Sequence, residues 1–228
     1  MVMQMLNLQI TDNLIEKSFL FSYLALFGLT LITFIEALKT ENVRIRHILN
    51  LETSVSLVAG FVYGIFYDML QKKTLQLDKV TEFRYMDWAI TTPMLLLVLL
   101  LFLNFDNRRE VHFSVYFTVL LLNYTMLIAG FLGETKTIDK NKAGAVGFIA
   151  YFAMIAFIWY LFIHNNPRNT KNNLVFTVFA IVWSFYGIAY YTDVKTKNLM
   201  YNTLDVMSKA MFGIFIWLYY GKVISFSQ

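Results

Sequence analysis

The chain alternates long apolar segments with short polar ones, and this pattern predicts seven membrane-crossing helices. A helix needs about 20 apolar residues to cross a bilayer. Seven segments meet that length approximately, and they cover 14–38, 48–70, 84–103, 113–132, 143–164, 174–191 and 198–225. Short connections make neighbouring helices antiparallel and adjacent. We therefore expect an all-α membrane protein, folded over 1–228 as a single seven-helix bundle.

Composition agrees with a chain surrounded by lipid. Of the 228 residues, 58% are hydrophobic and only 15% are charged, which is unlike an ordinary soluble domain. The net charge of +4 is spread over the polar segments, so we expect no nucleic-acid partner. Cysteine is absent, which excludes thiolate metal sites. Without a nucleotide motif, metal cluster or catalytic triad, an enzyme is not expected.

A lysine in the seventh segment, Lys209, is the first candidate functional residue. It lies in the apolar run LDVMSKAMFG, where a charge costs about 2.5–3.5 kcal/mol on membrane-insertion scales. Asp205 lies four residues earlier and therefore shares its helical face. A buried lysine can be part of a structural ion pair, a residue on an ion path, or a nucleophile that forms an imine. This segment alone leaves all three roles open.

The third segment carries polar residues that are expected to face Lys209 inside the bundle. It begins RYMDWAITTP, where Arg84, Asp87 and Thr91 fall on one helical stripe. The bundle interior is the tolerable place for such a stripe. Asp87 and Asp205 are therefore expected to flank the Lys209 nitrogen, with Arg84 balancing their charge. Such a cluster is either a structural ion pair between helices or the support of a protonated imine.

These motifs resemble the microbial (type 1) rhodopsins. RYMDWAITTP resembles their third helix, LIAGFLGE the end of the fourth, VWSFYGIAYY the sixth, and LDVMSKAMFG the seventh, which bears the retinal lysine. The resemblance covers the whole chain and implies all-trans retinal, bound covalently as a Schiff base to Lys209. Within the family, the short loops and Val98 are similar to the viral rhodopsins of large DNA viruses.

The resemblance also implies roles for individual residues. Asp87 corresponds to the primary counterion and proton acceptor, and Asp205 to the second counterion. Arg84 corresponds to the arginine below the Schiff base, and Thr91 to a threonine that hydrogen-bonds the counterion. Leu95 corresponds to a position where leucine accompanies green absorption. The retinal pocket is expected to contain Trp88, Thr92, Leu95, Trp183, Tyr186 and Tyr190.

Two positions depart from the pattern of outward proton pumps. Val98 stands where those pumps carry an acid, and valine cannot return a proton to the Schiff base. Glu52 is an unusual acid in the second segment. By resemblance to the gates of channelrhodopsins, Glu52, Asn202 and either Ser18 or Ser22 are candidates for an ion path. The alternative is that Glu52 lies at the membrane interface and simply reaches water.

Three functions remain open at this stage. We expect first a light-gated cation channel, because of Val98 and Glu52. A light-driven outward proton pump with slow turnover is the alternative, because the Asp87, Asp205 and Lys209 set is intact. A sensory rhodopsin that signals to a partner is the third. The resemblance further implies a homo-oligomer, either trimer or pentamer. We expect the amino terminus outside and the carboxyl terminus in the cytoplasm, although positive charges are balanced between the two sides.

Overall fold

The computed structural model describes residues 12–105, 111–164 and 169–224, and these are almost entirely helical. The helices are α1 (Asp12–Lys39), α2 (Val43–Gln71), α3 (Leu77–Leu103), α4 (Phe113–Glu134), α5 (Lys140–Ile158), α6 (Thr170–Tyr190), α7 (Val194–Asp205) and α8 (Phe212–Tyr220). A π-helix, Trp159–His164, extends α5, and a second, Val206–Met211, joins α7 to α8. The seventh rod consists of α7, the π-helix Val206–Met211 and α8, which follow one another without interruption. The predicted all-α seven-helix fold is confirmed.

Polar helix ends explain where the predicted and observed bounds differ. The six rods from α1 to α6 are long and apolar enough to span a membrane. However, α3 begins at Leu77 rather than at 84, because its first turns contain charged residues that hydropathy assigns to a loop. Likewise, α6 begins at Thr170 rather than 174, and α7 at Val194 rather than 198. The predicted end of the seventh segment, Ser225, lies outside the described residues.

Side-chain caps fix several of these starts. The first backbone N–H groups of a helix have no partner within the helix, and Asn or Asp before the first turn accepts their hydrogen bonds. Asn42 caps α2 in this way, Asp139 caps α5, Asn169 caps α6 and Asp193 caps α7. The polar connections therefore determine where the rods begin.

Large apolar side chains cover the outside of the bundle, and several charged side chains are buried inside it. Phe21, Leu31 and Ile149 are each at least 60% exposed, as suits contact with lipid. We name two halves of the bundle. The Arg84 half holds the starts of α1, α3 and α7, and the Phe102 half holds the ends of α3 and α8. A continuous apolar cluster fills much of the Phe102 half.

An ion pair joins the end of α4 to the start of α7. Lys197 Nζ lies 2.6 and 2.8 Å from the two oxygens of Glu134, and both side chains are largely buried. Glu134→Gln is expected to lower the free energy of unfolding by about 3 kcal/mol, because it leaves a buried cation without its partner. Thermal unfolding in detergent measures this. Asp12→Asn, which removes an exposed ion pair with Lys195, is the control and should have no measurable effect. Equal stability of the two variants would contradict the prediction.

Candidate functional site

The centre of the bundle holds four buried charges. Lys209 Nζ donates a hydrogen bond to Asp87 Oδ2 at 2.7 Å and lies 3.5 Å from Asp205 Oδ1. Arg84 Nη1 lies 3.5 Å from Asp205 Oδ2. All four side chains are buried. Two cations therefore face two carboxylates, and the cluster is neutral as a whole, which is the condition for keeping charges inside a membrane protein.

Local helix geometry sets this arrangement. Lys209 lies on the π-helical turn Val206–Met211, and single π-turns inside α-helices occur frequently at functional sites. On α3, Arg84 and Asp87 are three residues apart and project from one face. The predicted grouping of Asp87 and Asp205 around the Lys209 nitrogen is the grouping found in the structure.

Arg84 is held by a network that the sequence did not indicate. Its Nη1 donates to the Tyr63 hydroxyl at 2.6 Å, and that hydroxyl donates to Asp205 Oδ2 at 2.9 Å. Its Nη2 donates to Asn202. Four rings surround the guanidinium at 5.2–5.8 Å, as in cation–π contacts: Phe19, Tyr63, Phe66 and Tyr201. Tyr63 lies on the helical stripe of Glu52 in α2, but no charge pattern singled it out.

The two carboxylates have different surroundings. Asp205 accepts hydrogen bonds from Tyr63, from the Tyr186 hydroxyl at 2.7 Å and from Trp88 Nε1 at 3.3 Å. Asp87 Oδ1, by contrast, has no partner among the described residues.

The hydroxyl of Thr91 does not reach the carboxylate of Asp87. It donates to the backbone carbonyl of Asp87 at 2.9 Å, whereas the sequence led us to expect a bond to the side chain. A threonine within a helix readily bonds the carbonyl four residues earlier, and this local bond competes with the one that was expected.

A largely apolar cavity adjoins the charged cluster. Its volume is about 810 Å³ including its open mouth, and Lys209 forms part of its wall. All six residues predicted for the pocket line it: Trp88, Thr92, Leu95, Trp183, Tyr186 and Tyr190. The lining also includes residues that the sequence did not indicate, among them Tyr85, Phe148, Tyr151, Tyr201 and Ser208.

Two glycines help to keep the cavity open. A Cβ on Gly130 would collide with the hydroxyl of Tyr85, and one on Gly187 with the ring of Phe148. Larger residues at these positions would therefore push aromatic side chains into the cavity. Sequence reasoning assigned no pocket role to either glycine, because their effect depends on which ring packs against them.

The cavity suits a long apolar aldehyde that condenses with an amine. Lys209 is the sole lysine that lines it within the described ranges. Aromatic rings supply most of the apolar contact area in such sites. A retinal-like polyene attached to Lys209 would therefore have its charged end beside Asp87 and Asp205, and its chain among Trp88 and Trp183.

Two other lysines are buried, and both lie elsewhere. Lys197 is paired with Glu134. Lys171 lies near the rings of Phe102 and Tyr219, at 4.9 and 5.0 Å from their centroids. The cavity wall does not include either lysine.

The four candidate ion-path residues do not lie together. Asn202 Nδ2 donates to Ser18 Oγ at 2.7 Å, and Ser22 Oγ donates to the backbone carbonyl of Asn202 at 3.2 Å, so these three share the Arg84 half. Glu52 lies in the Phe102 half, where a Cβ added to Gly213 would be 2.8 Å from its Oε2. The Lys209 cluster separates the two groups.

Comparison with known proteins places the chain in a family. The family model described as "Bacteriorhodopsin-like protein" matches residues 13–223. A green-light absorbing proteorhodopsin of Gamma-proteobacterium EBAC31A08 is 27% identical over 179 residues, covering 70% of this chain and 71% of that protein. The crystal structure of viral rhodopsin OLPVRII is 39% identical, with a TM-score of 0.87, and the match covers 93% of this chain and 100% of that one.

A more distant structure shares the fold alone. The light-driven proton pump LR (Mac) from Leptosphaeria maculans is 18% identical, with a TM-score of 0.71 and coverage of 93% and 97%. Together with the family match, these similarities confirm the resemblance seen in the sequence motifs. The chain therefore belongs to the bacteriorhodopsin-like family as a microbial rhodopsin of the viral subgroup, and it binds retinal covalently through a lysine.

Proposed function

We propose that this rhodopsin is a light-driven outward proton pump whose Arg84 half faces the outside. In this proposal Lys209 carries retinal, and Asp87 accepts the proton of its nitrogen. The observation that supports it best is the direct 2.7 Å hydrogen bond from Lys209 Nζ to Asp87 Oδ2. A proton needs a donor and an acceptor within hydrogen-bond reach, and this pair meets the requirement without rearrangement.

Retinal, bound as a protonated imine, supplies light absorption and a bond rotation that moves the nitrogen relative to its neighbours. The chain determines where the proton goes. Asp205 accepts three hydrogen bonds, from Tyr63, Tyr186 and Trp88, so both of its carboxylate oxygens already have donors. Asp87, whose Oδ1 is free of protein donors in the described part of the chain, is the acceptor.

The two halves of the bundle differ in the way that one-way transport requires. In the Arg84 half, polar side chains continue from the cluster through Arg84, Asn202 and Ser18. In the Phe102 half, Val98, Leu99 and Phe102 are fully buried among apolar neighbours. A proton released from Asp87 therefore meets polar groups on one side and an apolar barrier on the other.

A return proton must cross that apolar half, and Glu52 is the group we assign to it. Glu52 is 0% exposed, and neither of its carboxyl oxygens has a partner among the described residues. Such a group avoids charge in an apolar interior, so it holds a proton at rest. Its Oε2 adjoins Gly213, four residues beyond Lys209, or about 6 Å along a helix. Val98, at the usual donor position, can supply no proton.

The donor role gives a kinetic prediction. Glu52→Gln preserves shape but removes the transferable proton, and it is expected to slow the return of a proton to the Lys209 nitrogen at least tenfold, since general acids contribute about 10²–10⁴-fold. Flash photolysis in the visible range measures this step. Added azide, a small diffusible acid, should restore much of the rate. Asp68→Asn, on the exposed end of the same helix, is the control and should change the rate less than twofold. A wild-type rate in Glu52→Gln would remove Glu52 from the mechanism.

A light-gated cation channel is the second candidate. It is favoured by the polar contacts of Ser18, Ser22 and Asn202 on α1 and α7, together with the buried Glu52 on α2, because polar side chains then lie on both sides of the Lys209 cluster. Illuminated cell suspensions distinguish the two functions. A pump acidifies the medium against a proton gradient, and a protonophore abolishes the signal. Failure to acidify the medium from coloured, membrane-inserted protein would contradict the pump.

A further inference from the structure

A seam of hydroxyl groups runs between α1 and α2 at the level of Glu52. Thr30 Oγ1 donates to Ser56 Oγ at 3.1 Å, and the Thr33 and Thr53 hydroxyls lie 2.8 Å apart. Thr33 and Ser56 are buried, as is Glu52, which precedes Thr53 on α2. Each hydroxyl is both a donor and an acceptor. All four also lie within hydrogen-bond distance of a backbone carbonyl four residues earlier, so the seam can pass a proton or order a water molecule when a hydroxyl turns away from that carbonyl.

Glu36 lies where this seam approaches the end of the bundle. It is three residues beyond Thr33, on the same side of α1, and it is partly buried. Trp217 Nε1 donates to Glu36 Oε2 at 3.4 Å. Trp217 in turn lies one turn of α8, about 6 Å, beyond Gly213, which adjoins Glu52. Two carboxyl groups thus contact α8 on the same side, one deep and one near the end.

The other side of the Phe102 half has buried polar groups near its end, where Asn172 Nδ2 donates to the Leu103 carbonyl at 2.7 Å and Lys171 Nζ donates to the Tyr219 hydroxyl at 3.3 Å, but it is apolar at greater depth. Leu99, Phe102 and Ile216 are 0% exposed and belong to one apolar cluster with Phe179. Water enters a protein interior where polar partners hold it, and apolar cavities stay dry. Proton entry between α3, α6 and α8 is therefore opposed by packing, whereas the α1–α2 side offers hydroxyls in sequence.

We propose that Glu36 is the entry carboxyl that reloads Glu52 along the α1–α2 seam. This rests on the proposed function, in which Glu52 gives its proton to the Lys209 nitrogen. Glu36 takes up a proton from bulk water at the cytoplasmic end and passes it to the Glu52 carboxylate, by way of the hydroxyls of Thr33 and Thr53 and intervening water. One proton enters for each proton that Glu52 has given up, so charge and protons balance over the cycle.

The test follows Glu52 and the medium separately after a flash. Time-resolved infrared absorption of the Glu52 carboxyl reports its reloading, a pH dye reports uptake, and visible absorption reports the earlier steps at Lys209. Glu36→Gln is expected to slow reloading and uptake at least tenfold, with the earlier steps changed less than twofold. Glu36→Asp should recover most of the rate. Glu41→Gln, an exposed acid beyond the end of α1, is the matched control and should behave as the wild type.

Two further variants separate proton transfer from a structural role. Thr53→Val keeps the shape of the seam but removes a hydroxyl, and it should slow the reloading of Glu52 as well. If Glu36→Gln fails to assemble, the rate of reloading in Thr53→Val still tests the entry route. Trp217→Phe removes the bond to Glu36 but keeps the carboxyl, so uptake should stay within twofold of wild type. Suppose that Glu52→Gln slows proton return to the Lys209 nitrogen, but that Glu36→Gln and Thr53→Val take up protons at the wild-type rate. That result would overturn the entry route through Glu36 and leave the donor role of Glu52 intact. Unchanged proton return in Glu52→Gln would instead overturn the donor on which it rests.

Discussion

Lys209→Ala and Lys209→Arg proteins supplied with retinal are expected to show no visible absorption band beyond that of free retinal. The Lys209 amine condenses with the aldehyde and releases water, and neither alanine nor a guanidinium can form that imine. Arginine keeps a cation beside Asp87 and Asp205, so loss of colour in Lys209→Arg cannot be attributed to an unbalanced charge cluster. Absorption spectra of the purified variants measure the effect, which should be a complete loss.

Lys197→Arg is the matched control for this result. Lys197 is also buried on the seventh rod, but it pairs with Glu134 and is absent from the cavity wall. Arginine preserves that ion pair, so the variant should fold and take the wild-type colour. A colourless Lys197→Arg together with a coloured Lys209→Arg would assign the retinal to Lys197 and contradict the site described for Lys209.

Asp87→Asn is expected to reduce proton release to the medium at least a hundredfold while the protein still binds retinal. The amide nearly matches the carboxylate in shape and can still accept a hydrogen bond from Lys209, but it cannot take up a proton. A lost general base costs about 10²–10⁴-fold, which places the effect at the limit of detection. A pH electrode or dye in illuminated vesicles measures it.

The conservative variant separates this role from a structural one. Asp87→Glu retains a proton acceptor near the Lys209 nitrogen and should keep measurable transfer, although its longer side chain alters the 2.7 Å contact. Proton release at the wild-type rate from Asp87→Asn would show that another group, with Asp205 the first candidate, accepts the proton.

Sequence alone predicted the parts of the site that depend on helical spacing. Asp205 and Lys209 are four residues apart, and Arg84 and Asp87 are three apart, so the spacing by itself assigns each pair to one face of its helix. Because charges in a membrane must meet inside the bundle, the pairing of these two faces followed. The long apolar segments also predicted the seven rods. The errors in the predicted bounds lay at the polar ends of the helices.

The features that the sequence could not supply depend on packing between helices. Tyr63 bridges Arg84 and Asp205, but a tyrosine on an apolar helix carries no pattern that marks a partner. Glu52 and Asn202 were grouped as one path, yet the structure puts them in opposite halves of the bundle. The half of the bundle in which each residue lies depends on the direction of α2 relative to α7. The spacing of residues within one helix carries no information on that direction.

In the proposed mechanism, protons move one way, from the Lys209 nitrogen through Asp87 to the outer side. Voltage-clamped photocurrent in retinal-supplied cells tests it most directly, with illumination in the absorption band and voltage swept through zero. One-way proton transfer predicts a current that stays outward at every voltage and disappears in Asp87→Asn. A current that reverses sign near the equilibrium potential of a cation would contradict it and identify a channel, and coloured protein without any current would contradict transport altogether.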